Sequence, residues 1–522
     1  MPQSTRPDRV LSDWFNIGHA GFAPAGSAAY TYGTDAAEHP LKNVRLAPLT
    51  APGPTGLRPE HIQETLLAKS RPVTNKLLRA LDRLEIASKQ GDLPPEMRWL
   101  TRSRLVFLKK KTGPKPRPIR IGEFYRRVVS KRLVTSERQS IQRAMKEYRQ
   151  FGVCIPRGVE ATVHFRDTVE VAAQSGAIDP LVVTDVDMAN CFCTLEWDEM
   201  RKDVADVTPS ALPWIAWQQQ QPGEVVLPCG EEMSVNRGAE QGDPLGSTET
   251  ASCIGAACKK AHAICGPGES QPVQRCGSDV WFIDDGQLFQ KPDRADPFLR
   301  QMDAELQTRG AYSDTGSDRK SVARLLGDPS GVDPSWCTDY ITRSCKTPNP
   351  TEPVCVLNAP VGPYADVSGA FRACVAKTID LHERIEHVDD AATELVLNRR
   401  CAAVLRVTYL LRCCGERQQE DDLETFDYAI RSAVETSLRG DLSDQAWELA
   451  TGGVKQGGLG MRSARRIALA ASVASLIGSR PLVHSMCSDM VLGGLASHGV
   501  LESLFDDRLQ RALARLETGL SD

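Results

Sequence analysis

No uninterrupted apolar run in this sequence reads as long enough to cross a bilayer, and the first residues, MPQSTRPDRVLSDW, lack the apolar core of a secretory signal. Both absences lead to the expectation of an intracellular protein, nuclear or cytoplasmic, with no membrane partner. The 16 cysteines form no even framework. That excludes a disulfide-stapled secreted scaffold; one pair, Cys413 and Cys414, is adjacent, and most thiols are expected to be reduced and buried. There is no internal repeat and no long low-complexity tract. Nor is there a large net charge: 63 Lys and Arg against 67 Asp and Glu give -4, a balance that by itself argues against a nucleic-acid partner.

What the chain does have is length and a local concentration of positive charge. At 522 residues, with 41% hydrophobic and 25% charged residues, it has a globular composition and is too long for one ordinary core. Two to four cooperating subdomains are expected. Residues 98–149 are densely basic, with Lys109, Lys110, Lys111, Arg117, Arg126 and Arg127 among few acids. A local positive field attracts polyanions, and acidic surface elsewhere does not cancel it beyond a Debye length. Apolar neighbours such as Val106 and Phe107 fix these charges on ordered structure, which distinguishes them from a merely solvated face.

Residues 1–43 are rich in Gly, Ala, Ser and Pro and read as a loosely ordered lead-in. A turn at 52–56 precedes a helix opened by Pro59 and Glu60. Residues 105–108 read as a strand, 109–116 as a basic turn, 117–121 as the returning strand and 124–133 as a basic helix. Such a tip can fold over a polyphosphate, Lys as a point charge and Arg as a bidentate fork, and Lys110 or Lys111 with Arg117 are the candidates. A helix from about Val159 reads as core. The strand PLVVTDVDM (180–188) ends in Asp185 and Asp187, which alternation puts on one face. Asp185 reads as an exposed strand acid; a lone acid at the place of Asp187 would ordinarily be a helix cap. RGAEQGDPLGS (237–247) is a Gly-rich loop before a helix over 248–264, and Gln241 within it can donate and accept hydrogen bonds at once. Cys253, Cys258, His262 and Cys265 match no zinc spacing and read as packed core.

The chain is organised around SDVWFIDDGQLFQ (278–290), a tight hairpin with Asp284 and Asp285 at its tip. Adjacent carboxylates raise each other's pKa unless a cation lies beside them, so the pair asks for a metal or a strong basic partner. The plain alternative is a surface Asp-Asp-Gly turn. Further on, the pattern predicts a helix over 297–309, a polar turn delivering Lys320, and a strand pair over 353–362 that turns at 358–360. Helices follow over 367–387, 391–413, 423–438, 463–477 and 501–520. Two strand-borne carboxylate sites side by side can hold two divalent cations roughly 3.5–4 Å apart, the geometry of metal-assisted phosphoryl transfer. Magnesium suits, since it takes a few carboxylates and completes its shell with water and phosphate.

Several segments in order resemble the reverse transcriptases of non-LTR retrotransposons. FIDD (282–285) is similar to the family's aromatic-x-Asp-Asp signature, DMANCF (187–192) to its first catalytic motif, and AEQGDPLGS (239–247) to its Gln-Gly-Asp-Pro-Leu loop. KTGPKPRPIRIGEFYRRVVSKRL (111–133) resembles the fingers motif, and APGPTGLRPEHI (51–62) and QFGVCIPRGVEATVH (150–164) two further segments. VLNAPVG (356–362) resembles the primer-grip hairpin and GGLGMRSARRIALAASVAS (457–475) a downstream segment. The likeness covers roughly 51–476. Each motif alone is weak; their order is specific. Ile283 stands where the family has a small residue, Phe282 where it has Tyr, and Cys193 where it has a polar or acidic one.

The resemblance implies an α+β right-hand polymerase with fingers, an RRM-like antiparallel palm sheet and a helical thumb. The lead-in would span 1–43, fingers with N-terminal helices 44–179, palm with a fingers insertion 180–364, and thumb with a C-terminal extension 365–522. It implies an RNA-directed DNA polymerase that extends a primer 3′-hydroxyl on an RNA template, with a DNA or RNA primer and dNTPs. Asp187, Asp284 and Asp285 would hold two Mg2+ ions, with Mn2+ as a substitute. Gln241 and Gly242 would position template and nucleotide, and Lys110 or Lys111 with Arg117 would hold the triphosphate. Phe192 would lie beneath the sugar and exclude a 2′-hydroxyl, and Lys320 would protonate the departing pyrophosphate. No endonuclease signature is present, so a nuclease would act in trans. The competing readings are an RNA-dependent RNA polymerase and a catalytically silent RNA-binding scaffold of the same fold.

Overall fold

The computed structural model describes residues 50–62, 71–109, 116–266, 276–313 and 320–521. The lead-in over 1–43 lies outside them. Among the described residues the strands are β1 (Ser103–Leu108), β2 (Arg117–Gly122), β3 (Leu181–Asp187), β4 (Gly223–Val226), β5 (Glu232–Val235), β6 (Ser278–Phe282), β7 (Asp285–Gln290), β8 (Val322–Leu326), β9 (Val354–Val356) and β10 (Ala359–Val361). The fold is mixed α+β, mostly helical with small sheets. It divides into two compact units that interleave along the chain.

One unit takes the described parts of 1–154, 188–261 and 302–313. Its sheet runs β2-β1-β4-β5. The expected basic strand pair is there, β1 antiparallel to β2 from Ser103↔Gly122 to Leu108↔Arg117. β4 adds parallel to β1, and β5 antiparallel to β4. The sequence pattern does not announce β4 and β5, because GEVV and EMSV are short and half polar; pairing partners rather than intrinsic preference make them strands. Phe124–Ser136, Arg138–Glu147, Trp197–Val207 and Leu212–Gln219 are among the helices of this unit. Trp214 and Trp217 stack at 5.6 Å. Their indole N–H groups donate to Ser130 Oγ at 3.3 Å and the Leu93 carbonyl at 3.0 Å, so the apolar bodies pack while the polar tips stay satisfied.

The second unit takes the described parts of 155–187, 262–301 and 314–522. Its sheet runs β6-β7-β3-β8, antiparallel throughout, with β7 and β3 central. β3 is covered on both faces, which is why it begins as the apolar run LVV, and Val182 and Val183 are fully buried. Trp281 of β6 lies over Gly286, its cross-strand partner on β7. A Cβ at Gly286 would come within 2.3 Å of the indole, so packing demands glycine there. The Trp281 indole donates to Asp279 at 2.8 Å, and Asp279 meets His262 Nε2 at 2.8 Å. His262 is thus a buried core side chain held through Nε2. On the other face of the sheet, the helix Gly158–Gln174 sets Phe165 against Phe289 of β7 at 5.4 Å.

The C-terminal part is helical as expected, with three corrections. The β9–β10 hairpin turns through Leu357 and Asn358, both at positive φ (49° and 66°), rather than at 358–360. The single helix expected over 391–413 is two, Ala391–Cys401 and Thr408–Cys414. Side chains of the helix Val367–Glu386 take up backbone carbonyls between them: His382 Nε2 bonds Ala402 O at 2.6 Å, and Cys374 Sγ bonds Arg406 O at 3.2 Å. Periodicity cannot reveal such a tertiary competitor. The helix expected to stop at 477 continues through Pro481 to Leu492. Contrary to the opening expectation, Ala464–Leu492 is long and apolar enough to cross a membrane by length and composition. In the fold it packs on the helices Gly158–Gln174, Thr408–Cys414 and Val500–Ser521, as a core helix does.

Candidate active site

Asp187 is the last residue of β3 and Asp285 the first of β7, and the two are direct cross-strand partners. Opposed residues in an antiparallel pair hold their Cβ atoms about 4.5–5.5 Å apart, so these carboxylates share one small space. Asp285 also partners Phe282 of β6, leaving Ile283 and Asp284 as a two-residue turn. Asp284 therefore sits in the turn itself and Asp285 opens the strand. Ile283 adopts φ 61°, a left-handed conformation that β-branched residues rarely take and that turns of this length give to glycine or asparagine.

Lys320, which the sequence delivers at the end of a polar turn, places Nζ 3.0 Å and 3.3 Å from the two oxygens of Asp187. The next residue, Ser321, accepts the Asp187 backbone N–H through its hydroxyl at 3.0 Å. Asp187 thus has a basic partner. The ion pair is open to solvent, with side-chain exposures of 61% for Lys320 and 33% for Asp187.

One pleat behind, Asp185 is not the exposed acid that alternation suggested. It receives the guanidinium of Arg166, from the helix Gly158–Gln174, at 2.7 Å and 3.3 Å. Arg166 also donates to Glu170 at 2.8 Å and to Gln287 of β7 at 3.4 Å, and is fully buried. Burial pulls the guanidinium pKa down, but Asp185 and Glu170 outweigh it and hold Arg166 above its ordinary range. Burial raises the Glu170 carboxyl against the pull of Arg166. The sequence reading passed over Arg166. Its signal is an Arg four residues before a Glu, in VHFRDTVE, on a helix that reads as core, where an unpaired charge would be costly.

The remaining candidates fall in the first unit. Arg117 is exposed on β2, and Arg120 of the same strand donates to Ala239 O at 2.9 Å, which joins β2 to the Gly-rich loop. Gln241 and Gly242 are exposed on that loop. Ala239 N donates to Phe192 O at 2.6 Å, so the Phe192 segment joins the same group; Phe192 itself is buried. Arg126 supports the loop from below through Glu240 at 2.9 Å and Asp243 at 3.1 Å. Close by, burial and then repulsion from Asp243 push the Glu249 carboxyl up to about 8, with Arg126 opposing. Asp187, Asp284, Asp285 and Lys320 belong to the second unit, while Lys110 and Lys111 lie outside the described residues.

Among the described residues no group of three or more His, Cys, Asp or Glu side chains is arranged to hold a metal. The donor chemistry nevertheless fits magnesium, which ordinarily takes one or two carboxylates and leaves its other positions to water and phosphate. Asp187 and Asp285 offer such a pair.

No protein-family model matches the chain, and no curated protein does. Among solved structures, telomerase from Candida albicans in complex with the TWJ fragment of telomeric RNA is similar at a TM-score of 0.41 and 12% identity, over 80% of this chain and 68% of that one.

Proposed function

We propose that the chain is an RNA-directed DNA polymerase of the non-LTR retrotransposon type. The telomerase likeness is too slight to support this. Support comes from the ordered motifs and, above all, from one geometric observation: Asp187 and Asp285, 98 positions apart by subtraction of their numbers, are neighbours on adjacent strands.

In this reading Asp187 and Asp285, with Asp284 beside them, would hold magnesium, which supplies charge neutralisation at the reacting phosphate when bound. The protein's own residues position and exclude. β3 and β7 fix the acids on rigid strands, so little order remains to be gained when nucleotide and primer arrive. Lys320 sets a protonated amine beside Asp187, where it can give a proton to the departing pyrophosphate. Arg117, with Lys110 or Lys111, provides positive charge for the triphosphate, and exposed Gln241 and Gly242 offer side-chain and backbone hydrogen bonds to template and nucleotide. Phe192 would serve sugar selection.

The test is primer extension by the full chain on RNA and DNA templates, with dNTPs and NTPs supplied separately. Extension on RNA with dNTPs, lost in Asp187→Asn, is the expected result. Extension by NTPs alone would make it an RNA polymerase, and no extension with intact template binding would make it a scaffold.

A further inference from the structure

We infer that Arg166 is a positioning residue for the carboxylate pair: its guanidinium fixes the separation and direction of Asp187 and Asp285 by bridging the two strands that carry them. The inference rests on the polymerase reading of that pair. Asp185 and Gln287 are cross-strand partners, and each lies two residues from one of the acids, so they form the neighbouring pair on the same face. Arg166 binds both. Nη1 is 2.7 Å from Asp185 Oδ1 and 3.4 Å from Gln287 Oε1, and Nη2 is 3.3 Å from Asp185 Oδ2. One planar, rigid fork therefore spans β3 and β7 immediately behind the acids.

The arrangement addresses a definite problem. Two carboxylates facing each other on the last rung of the β3–β7 ladder repel, which works to spread the strands at that end. Lys320 lies on the solvent side and is too exposed to serve as a rigid brace. Arg166 is fully buried and is itself held from behind by Glu170 at 2.8 Å. Its helix is anchored in turn through Asp167, which accepts the Gly362 amide at 2.7 Å, Arg417 at 2.8 Å and Arg508 at 3.0 Å. Packing alone does not call for arginine here. A methionine would fill similar space against Phe289, and buried ion pairs often add little net stability. What the guanidinium adds is geometry, since its fork engages two strands at once.

The test uses two variants of the full chain that keep the local net charge: Arg166→Lys, and the double variant Arg166→Met with Glu170→Gln. Mn2+ binding is followed by electron paramagnetic resonance without template, primer or nucleotide, so the readout is independent of turnover. Loss of an outer-shell partner lowers metal affinity by about 10–100-fold, and a rise of that size in the Mn2+ dissociation constant is expected for both variants, with unchanged circular dichroism. Faster hydrogen exchange in 181–187 and 285–290 should accompany it. A purely electrostatic role would leave binding unchanged, because neither variant alters the charge. Folded variants that bind Mn2+ as the wild type does would overturn the inference and leave the polymerase reading standing. Should the double variant not fold, Arg166→Lys decides alone. A wild type that binds Mn2+ no better than Asp187→Asn with Asp285→Asn would instead remove the acid site, and the brace with it.

Discussion

Asp187 faces Asp285 across the final rung of the β3–β7 ladder, with Lys320 Nζ 3.0 Å from Asp187. Two like charges placed directly opposite work against the sheet that carries them. In a chelating buffer Asp285→Asn should therefore stabilise the protein by about 0.5 kcal/mol while abolishing primer extension. Chemical denaturation beside an extension assay checks both. Lower stability in the variant would mean that other interactions of Asp285 outweigh its repulsion by Asp187.

Lys320→Ala separates the two roles of that lysine. Its ion pair is exposed and should contribute under about 1 kcal/mol, so thermal unfolding should hardly move. If the amine serves as general acid, single-turnover extension should slow by about a hundredfold or more. A drop of only a few-fold would reduce Lys320 to an electrostatic neighbour of Asp187.

Ile283 offers a prediction about stability alone. At φ 61° a side chain meets backbone that glycine does not, a strain of about 1–2 kcal/mol, of which part is offset by the greater unfolded freedom of glycine. Ile283→Gly should stabilise by about 0.5–1 kcal/mol, and the midpoint of urea unfolding should rise. A fall would show that apolar contacts of Ile283 outweigh its backbone.

Glu249 gives a pH dependence. Its folded pKa of about 8 stands above the ordinary 4.5, so the folded state holds a proton that the unfolded chain has released. The stability associated with that proton is complete below about pH 4.5 and declines as pH rises towards 8, by up to about 1.4 kcal/mol per pH unit. Glu249→Gln cannot titrate, so its advantage over the wild type should widen across that window. Parallel stability profiles for the two proteins would refute the assignment.

The strand and the hairpin that carry the acids are legible in the sequence because their signals are local. Alternation put Asp185 and Asp187 on one face, and the apolar runs on either side of Asp284 and Asp285 announced a hairpin. The meeting of Asp187 with Asp285 is a matter of strand register, which no local pattern carries. The partner of Asp185 was hidden for the same reason: Arg166 sits on a helix whose apolar neighbours read simply as core. The helix expected over 463–477 runs on to Leu492 because Pro481, a residue type that normally marks a helix end, is carried inside it by packing on neighbouring helices. The break after Cys401 depends on His382 and Cys374, side chains from another helix.

Asp167 carries a consequence for synthesis. Its three partners lie 195, 250 and 341 residues further along the chain, at Gly362, Arg417 and Arg508. During translation the strand bearing Asp187 emerges long before the arginine that completes this junction, at roughly 5–20 residues per second. The nascent protein must therefore keep an unfinished polar centre hydrated until the helix Val500–Ser521 leaves the ribosome, and a chain released before Arg508 never closes it.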